Sequence, residues 1–491
     1  MKKKFSLLLL LTILTCCTNP GGRSWIIPVT IDPSDLSYTP SHLESFELRR
    51  KGVLSNLEEG YVLLRSSDQE SSNRNEFRPN SYFYYLTGCE VPNTYALLSN
   101  RAASNFILSL PPHRMRSLIY QGENLPEEKV NELFQPDRLV SYSEFRILLD
   151  SIIHGGAPIY LDRNDRAFLC DLKRRSGEDG TAEFRSVAML VDELRVLKDP
   201  FEIERLQKAC NITSRALINV MKECSEGKYE FEMESIIEGT FLQFGASMPG
   251  FPSIVGSGPN STILHYESNT RFMKNGEILV MDIGAEYGHY TADITRTIPV
   301  NGRFREEQRI IYQLVLDAQK AAINSLKPGS RIGDGHQVAR DMIIRGLADL
   351  GLITDTTSSW QSKFYIVYPI SHYLGLDVHD VGDYGGFFAN FRQDTLGANQ
   401  ESRLLEPGMV LTIEPGLYFR EKGLQQLYEL FNHEADSTEI TTFINQVAPV
   451  YEKYINLGVR IEDDILITKD GNINLSRYAP KEIEDIEQLM R

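Results

Sequence analysis

Segment 278–297 places two aspartates inside apolar, strand-like runs that flank a short turn. A two-residue hairpin turn at Tyr287-Gly288 would set Asp282 directly opposite Asp293. Directly opposed residues hold their Cβ atoms roughly 4.5–5.5 Å apart, and like charges in such a pair are destabilising. Because apolar residues surround both aspartates, two buried carboxylates this close need a cation between them or must share a proton. The alternative is a hairpin whose aspartates lie on a solvated face.

Three later segments add side chains that can ligate metals. Segment 370–382 carries His372 and His379 in a stretch that also contains two glycines, while Glu414 and Glu462 lie on or directly after apolar, strand-like runs. With the two aspartates, they make four carboxylates and one or two imidazoles, an oxygen-rich set that suits a pair of manganese-like divalent ions. Tetrahedral zinc held by thiolates is excluded, because no cysteine accompanies these motifs.

The 491 residues leave room for two or three domains, and the clearest boundary signal is the start of a helix. Asp199 can cap this helix, Pro200 fits its first turn, and Glu202 can complete a capping box. Before it, a helix at 43–57 and strands near 61–64, 96–98 and 157–161 alternate, which predicts an α/β layer domain. After it, the pattern predicts glycine-bounded strands and long helices near 200–224, 230–245 and 305–326.

The first residues have the pattern of a targeting signal. Three lysines precede an apolar run that ends at Cys16-Cys17, which is typical of a secretory signal peptide and too short to span a bilayer comfortably. An apolar run ending on cysteine resembles a bacterial lipoprotein leader, which implies lipidation at Cys16 or, as the alternative, at Cys17. A plainly secreted protein is the next interpretation, followed by a buried strand or a membrane anchor. The predicted division is 1–16 as signal peptide, 17–42 as a tether leading into the fold, 43–198 as the α/β domain and 199–491 as the second domain.

The net charge of −16 excludes whole classes of partner. An acidic chain repels phosphate backbones and anionic membrane surfaces, so binding to nucleic acid is not expected, and a lipid anchor would be the only link to a membrane. The four cysteines outside the leader show no metal-binding spacing, and we expect them to be small buried hydrophobic residues. They are Cys89, Cys170, Cys210 and Cys224.

The five ligand candidates, in their order and sequence contexts, resemble the metal site of the pita-bread metallopeptidases. They are Asp282, Asp293, His372, Glu414 and Glu462. That family includes methionine aminopeptidases, prolidases, aminopeptidase P and the metal-free creatinase, and all five positions match. The resemblance implies an N-terminal α/β, creatinase-like domain followed by an α+β pita-bread catalytic domain.

Within the family, three features favour aminopeptidase P: the preceding α/β domain, segment 78–88, and the histidine motif at 371–380. The chain departs from the family where Tyr368-Pro369 stands in place of a common His-Gly pair. It also carries an acidic and aromatic insert at 424–456, which we expect to be a helical pair near the cleft or a dimer contact.

The resemblance implies two divalent metal ions that share a bridging hydroxide, and we expect them to be Mn²⁺. Asp282 would hold one metal, Asp293 and Glu462 would bridge both, and His372 and Glu414 would complete the other. Glu414 would also accept the proton of the attacking water and pass it to the leaving prolyl nitrogen.

The resemblance assigns five surrounding residues as well. His265 and His379 match family histidines beside the scissile bond and would steady the intermediate or shuttle protons, with structural hydrogen bonding as the alternative. Tyr418 and Arg460 match positions that shape the proline pocket and support the ligands. Asp380 is expected to orient a metal ligand from behind.

The implied function is release of the N-terminal residue from peptides with proline second. The runner-up is a prolidase that cleaves Xaa-Pro dipeptides, and the alternative from another class is a non-catalytic peptide-binding lipoprotein. We expect a homo-oligomer, dimer or tetramer, exported from a bacterial cytoplasm and either lipid-anchored at the cell envelope or periplasmic.

Overall fold

The computed structural model describes residues 40–67, 77–100, 104–112, 125–177, 182–386 and 402–491, together with the single residues 27 and 119. The predicted signal peptide, its lipidation site at Cys16 and nearly all of the tether at 17–42 lie outside the described residues. In the described part of the chain, no helix has both the length and the apolar character needed to cross a membrane.

The first part of the chain is a layered α/β unit built on one six-stranded sheet. Its elements are α1 (Pro40–Asn56), β1 (Tyr61–Arg65), α2 (Ser81–Thr87), β2 (Tyr95–Leu98), β3 (Phe106–Ser109), α3 (Glu127–Phe134), β4 (Arg138–Val140), α4 (Tyr142–His154), β5 (Ile159–Leu161), α5 (Arg166–Ser176), β6 (Phe184–Ser186) and α6 (Ala188–Val196). The strand order is β4-β3-β2-β1-β5-β6, with β2 antiparallel to both neighbours and the other pairs parallel. The predicted helix at 43–57 and the three predicted strands are confirmed.

The sheet is covered on both faces, as the apolar character of its strands requires. Val62 and Leu64 of β1 pack into the large core shared with the second part of the chain. Leu63 and Leu97 point the other way into a smaller core, where they meet Phe145 of α4. This alternation follows from the two-residue period of a strand.

The second part of the chain is an α+β unit of antiparallel sheets and long helices. Its elements are α7 (Pro200–Glu223), α8 (Glu230–Gln243), β7 (Met248–Pro249), β8 (Ile254–Ser257), β9 (Ile278–Ile283), β10 (Ala285–Tyr287), β11 (Tyr290–Thr291), β12 (Ile294–Pro299), α9 (Glu306–Ser325), α10 (Ile332–Asp349), α11 (Ser359–Tyr365), β13 (Val410–Ile413), β14 (Gly416–Phe419), α12 (Gly423–Phe431), α13 (Ser437–Tyr451), β15 (Leu457–Arg460), β16 (Asp463–Thr468), β17 (Gly471–Asn474) and α14 (Ile483–Leu489). The sheets have the orders β8-β9-β12, β7-β10-β11, β13-β16-β17 and β14-β15. The predicted fold class, α/β followed by α+β, is confirmed.

Helix α7 begins where its capping signals predict. The Asp199 carboxylate accepts the Glu202 N–H at 3.0 Å, and the Glu202 carboxylate accepts the Asp199 N–H at 3.0 Å. Two orphan amides are thereby satisfied, and Pro200 needs no partner at the first helical position. The predicted helices at 230–245 and 305–326 correspond to α8 and α9.

The hairpin that carries the two aspartates has a different register from the prediction. The turn residues are Gly288 and His289, with φ of 55° and 69°, so that Asp282 pairs with Thr295 and not with Asp293. A tight turn with φ > 0 at both central residues tolerates glycine first, whereas the predicted turn would have forced the bulky Tyr287 into that conformation. Asp293 therefore lies two positions before the residue opposite Asp282.

The insert at 424–456 does form a helical pair, α12 and α13. Trp360 on α11 donates a hydrogen bond to Glu439 of α13 at 2.9 Å and packs against Phe443. The insert thus covers α11, and none of its residues lines the cavity that holds the predicted metal ligands, described below.

The expectation of four buried cysteines is wrong for Cys170, which is exposed on α5, and for Cys224, which is only half-buried. The core-facing residues of that helix are Phe168 and Leu172, and Cys170 falls between them on the solvent side. Cys210 is buried, but its thiol hydrogen-bonds the Asp464 carboxylate at 3.1 Å, so it is more than a small hydrophobic residue.

Candidate metal centre

The five predicted metal ligands converge on one cavity of about 440 Å³. Asp282 lies on β9, and Asp293 directly precedes β12. Glu414 directly follows β13, while Glu462 occupies the bend between β15 and β16, and His372 lies on the segment before β13. The cavity is lined by Leu264, His265, Asp282, Asp293, Tyr368, Pro369, Ser371, His372, His379, Asp380, Tyr384, Glu414, Arg460 and Glu462.

The centre of the cluster has metal-binding geometry. Ligand atoms of Asp293, His372 and Glu462 all lie within 4.8 Å of one another. His372 Nε2 is 3.4 Å from Asp293 Oδ2 and 3.5 Å from Glu414 Oε1. His372 Nδ1 lies 3.0 Å from the Tyr373 carbonyl, which can only accept, so Nδ1 carries the proton and Nε2 presents its lone pair to the carboxylates.

The carboxyl groups are held in an environment that disfavours their charge. Burial, reinforced by the negative charges of neighbouring carboxylates, raises the pKa of Asp293 and of Glu462 well above the usual range. Burial raises the pKa of Glu414 to about 8, against the opposing effect of Arg460. Burial and the nearby His379 lower the pKa of His372 to about 3, so this imidazole is neutral. None of the five predicted ligands is positively charged, and the one cation described beside them is Arg460, which pairs with Asp282.

Divalent cations fit this donor set. The oxygens and one imidazole are the ligands that manganese-like ions accept, and cations would relieve the repulsion that keeps these acids protonated. The Asp282 Oδ1 atom is buried and has no hydrogen-bond partner among the described residues, as expected of an oxygen reserved for a metal.

Arg460 organises the ligands from behind. Its Nη2 donates to Asp282 Oδ2, and its Nε donates to the Thr295 hydroxyl at 3.0 Å, which in turn donates to Glu462 Oε2 at 2.7 Å. Tyr418 is not among the residues that line the cavity, and its hydroxyl accepts the Arg460 Nη1–H at 3.2 Å. Sequence reasoning missed Thr295. It lies two residues after Asp293, and residues two apart on a strand point to the same face, so the spacing could have indicated it.

The two predicted catalytic histidines both line the cavity. The ring of His379 lies 4.2 Å from that of His372, centroid to centroid. Burial and the neighbouring His265 lower the pKa of His379, which favours its neutral form. Both histidines therefore face the space that a substrate would fill.

The Asp380 side chain does not contact a predicted ligand. Its carboxylate accepts hydrogen bonds from Arg195 and from Lys198, the latter at 3.0 Å, and both cations are fully buried. Its link to His372 runs through the backbone, because the Tyr373 carbonyl accepts both the Asp380 N–H, at 2.9 Å, and His372 Nδ1–H. The expected orienting role thus falls to the main chain.

Contacts from the first part of the chain hold the loop that carries His379, and sequence reasoning did not predict them. Arg78 donates to the Leu376 carbonyl and, at 2.7 Å, to Glu286 Oε2. Ser81 donates to Asp377 at 2.8 Å. Segment 78–88 enters the sequence analysis only through its resemblance to aminopeptidase P. The sequence offers no local signal that Arg78 and Ser81 contact residues 376 and 377.

Comparison with known proteins places this geometry in context. The sequence pattern of metallopeptidase family M24 matches residues 204–469, and that of the aminopeptidase P N-terminal domain matches residues 46–160. The chain is 35% identical to a Xaa-Pro aminopeptidase of Haemophilus influenzae over 457 residues, covering 91% of this chain and 97% of the relative. The Xaa-Pro aminopeptidase of Escherichia coli is 33% identical over 471 residues, with the same coverage. Aminopeptidase PepP of Pseudomonas aeruginosa has a solved structure that superposes with a TM-score of 0.76 at 30% identity, covering 91% of this chain and 98% of that one.

Proposed function

The chain belongs to metallopeptidase family M24, and from this premise we propose that it is a Xaa-Pro aminopeptidase, which releases the first residue of peptides that carry proline second. The observation that carries the proposal is the convergence of four carboxylates and His372 on one buried cavity. Relatives with that printed activity match over nearly their full length, which supports the same activity here.

Two divalent ions, proposed to be manganese, would be held by five of the residues that line the cavity. They are Asp282, Asp293, His372, Glu414 and Glu462. When bound, such ions polarise a scissile carbonyl and lower the pKa of water, which supplies a nucleophile near neutral pH.

The remaining chemistry is assigned to side chains of the chain itself. Glu414 would take up the proton released by water and return it to the prolyl nitrogen, because its carboxylate lines the cavity beside the other predicted ligands, 3.5 Å from His372 Nε2. His265 and His379 face the same space and would donate hydrogen bonds to the oxygen on which negative charge develops. Leu264 and Tyr384 add apolar surface to the cavity, which suits a prolyl ring.

The decisive assay compares a tripeptide, Ala-Pro-Ala, with the dipeptide Ala-Pro, first in chelator and then with added manganese, zinc or cobalt. We expect manganese-dependent release of alanine from the tripeptide and little from the dipeptide. Cleavage of the dipeptide alone would make the protein a prolidase. No turnover with any metal would favour the non-catalytic, peptide-binding alternative. In the same assay Asp293→Ala, which removes a predicted ligand, should be inactive, and its control is Glu421→Gln, which removes an exposed carboxylate.

We also propose export and lipid anchoring at Cys16, with oligomerisation as a dimer or tetramer. Labelled palmitate should enter the expressed protein and be lost in Cys16→Ala, whereas loss only in Cys17→Ala would move the attachment site. Light scattering on the protein without its leader would give the number of subunits.

A further inference from the structure

Tyr368 occupies the place where the family resemblance leads one to expect a histidine, and it lines the cavity. It follows α11 in the chain and is four residues before His372. Its hydroxyl lies 2.9 Å from the backbone carbonyl of Glu414 and 2.9 Å from the Tyr418 hydroxyl. The residue therefore contacts the main chain of a predicted ligand.

The direction of every hydrogen bond in this group follows from its donors and acceptors. A carbonyl only accepts, so Tyr368 must donate its single proton to Glu414. The bond between the two hydroxyls must then be donated by Tyr418. A guanidinium only donates, and Arg460 Nη1 supplies the Tyr418 oxygen at 3.2 Å. The result is one directed chain from Arg460 through Tyr418 and Tyr368 to the Glu414 carbonyl.

The same guanidinium holds Asp282, so the chain connects two metal ligands that lie far apart in sequence. The Glu414 backbone is held on its other side as well, because its N–H donates to the Ile370 carbonyl at 2.9 Å. Segment 368–370 thus holds both polar groups of the Glu414 main chain.

The hydroxyl pair fits closely against the backbone that follows Glu414. A Cβ added at Gly416 would lie 2.5 Å from the Tyr418 hydroxyl and 2.7 Å from that of Tyr368, closer than real Cβ atoms come to other atoms. Only a residue without a side chain leaves room for both phenols there. The absence of a side chain at 416 and the presence of Tyr368 are therefore parts of one arrangement.

We propose that Tyr368 is a positioning residue, which fixes the Glu414 carboxylate through its backbone carbonyl and couples it to Arg460. The expected effect of Tyr368 on turnover rests on the proposed peptidase function. Its expected effect on the rigidity of the segment that carries Glu414 is independent of that function.

The test variant is Tyr368→Phe, and the matched control is Tyr365→Phe. Tyr365 is buried on α11, lies outside the cavity lining, and donates to the Leu352 carbonyl at 2.9 Å, so each substitution removes one buried hydroxyl from one backbone carbonyl. Hydrogen exchange in metal-free protein, read on peptides covering residues 410–416, reports the segment directly. We expect exchange there to be about tenfold faster in Tyr368→Phe and unchanged in Tyr365→Phe.

With manganese and Ala-Pro-Ala, Tyr368→Phe should lower kcat about tenfold while KM stays within twofold, whereas the control keeps both values. Tyr418→Phe should cause a similar loss, and the double variant should be no worse than either single one, because all three break the same chain. Additive losses would show that the tyrosines act independently and would overturn the proposal.

The two proposals fail separately. If the wild-type protein cleaves no Xaa-Pro peptide, the proposed function is wrong, and the exchange experiment still decides the role of Tyr368. If the wild-type protein is active but Tyr368→Phe matches Tyr365→Phe in both exchange and kcat, the positioning role is refuted.

Discussion

Raising the pH should destabilise the metal-free protein through Glu414. In the folded state burial raises the pKa of this carboxyl from 4.5 to about 8, while the unfolded chain restores the ordinary value. Between these two pH values the folded protein keeps a proton that the unfolded chain has lost. The free energy of unfolding must therefore fall as pH rises through this window.

The size of the effect follows from the two pKa values. At about 1.4 kcal/mol per pKa unit, the fall between pH 5 and pH 8.5 comes to about 4 kcal/mol for a fully buried group. Because the Glu414 side chain is 14% exposed, we expect about 3–4 kcal/mol. Saturating manganese should reverse the trend, since the metal competes with the proton for the carboxylate and binds the folded state.

The assay is urea unfolding in chelator at several pH values, followed by tryptophan fluorescence, to which Trp360, buried in the α+β unit, contributes. The quantity of interest is the stability of wild type minus that of Glu414→Gln, because the amide cannot titrate. Groups remote from Glu414 cancel in this difference, whereas Asp293 and Glu462, whose pKa values Glu414 helps to raise, contribute to the same trend. Glu421→Gln, at an exposed position, should show no such difference. If wild type and Glu414→Gln keep a constant difference within 1 kcal/mol from pH 5 to pH 8.5, the reasoning is refuted.

Three further outcomes test the site. Asp293→Ala should abolish both metal binding, measured by atomic absorption after dialysis, and peptide cleavage; a folded variant with normal activity would disprove the metal-site assignment. His265→Ala should lower kcat about tenfold or more with metal content unchanged, because the residue faces the cavity without being a predicted ligand. Asp380→Asn should cost about 3–5 kcal/mol in urea unfolding, because Lys198 stays buried without its carboxylate partner and Arg195 keeps only its second one, Asp377 Oδ2 at 2.7 Å; a cost below 1 kcal/mol would contradict the ionic role of this residue.

The sequence was most informative where a pattern depends on near neighbours. The capping box of α7 needs only Asp199, Pro200 and Glu202, and it was predicted with its boundary. The hairpin was also predicted, but its turn was placed one residue too early, at 287–288 instead of 288–289, so the predicted register was wrong. The backbone conformation of Gly288 and His289 decided it, together with the contact that His289 makes to Glu90 of the first part of the chain, at 2.8 Å.

The same distinction between local and long-range information holds for the candidate site. Carboxylates in apolar strand contexts are improbable without a compensating ion, so Asp282, Asp293, Glu414 and Glu462 could be picked out from the sequence and from the family resemblance. The hydrogen-bond and ion-pair partners of these side chains could not be predicted from the sequence. Asp380 was expected behind a ligand, yet its carboxylate pairs with two cations nearly two hundred residues earlier in the chain.

By itself, the sequence determined which chemical groups this protein can bring to a metal centre, because residue type and local burial pattern are properties of short segments. Only the tertiary structure decided how those groups are arranged: which nitrogen of His372 faces the carboxylates, how Arg460 joins Asp282 to Tyr418, and that Tyr368 fills the place of an expected histidine. The reason is physical. A hydrogen bond between side chains depends on distances of a few tenths of an ångström, and those are set only when strands far apart in the chain pack into one core.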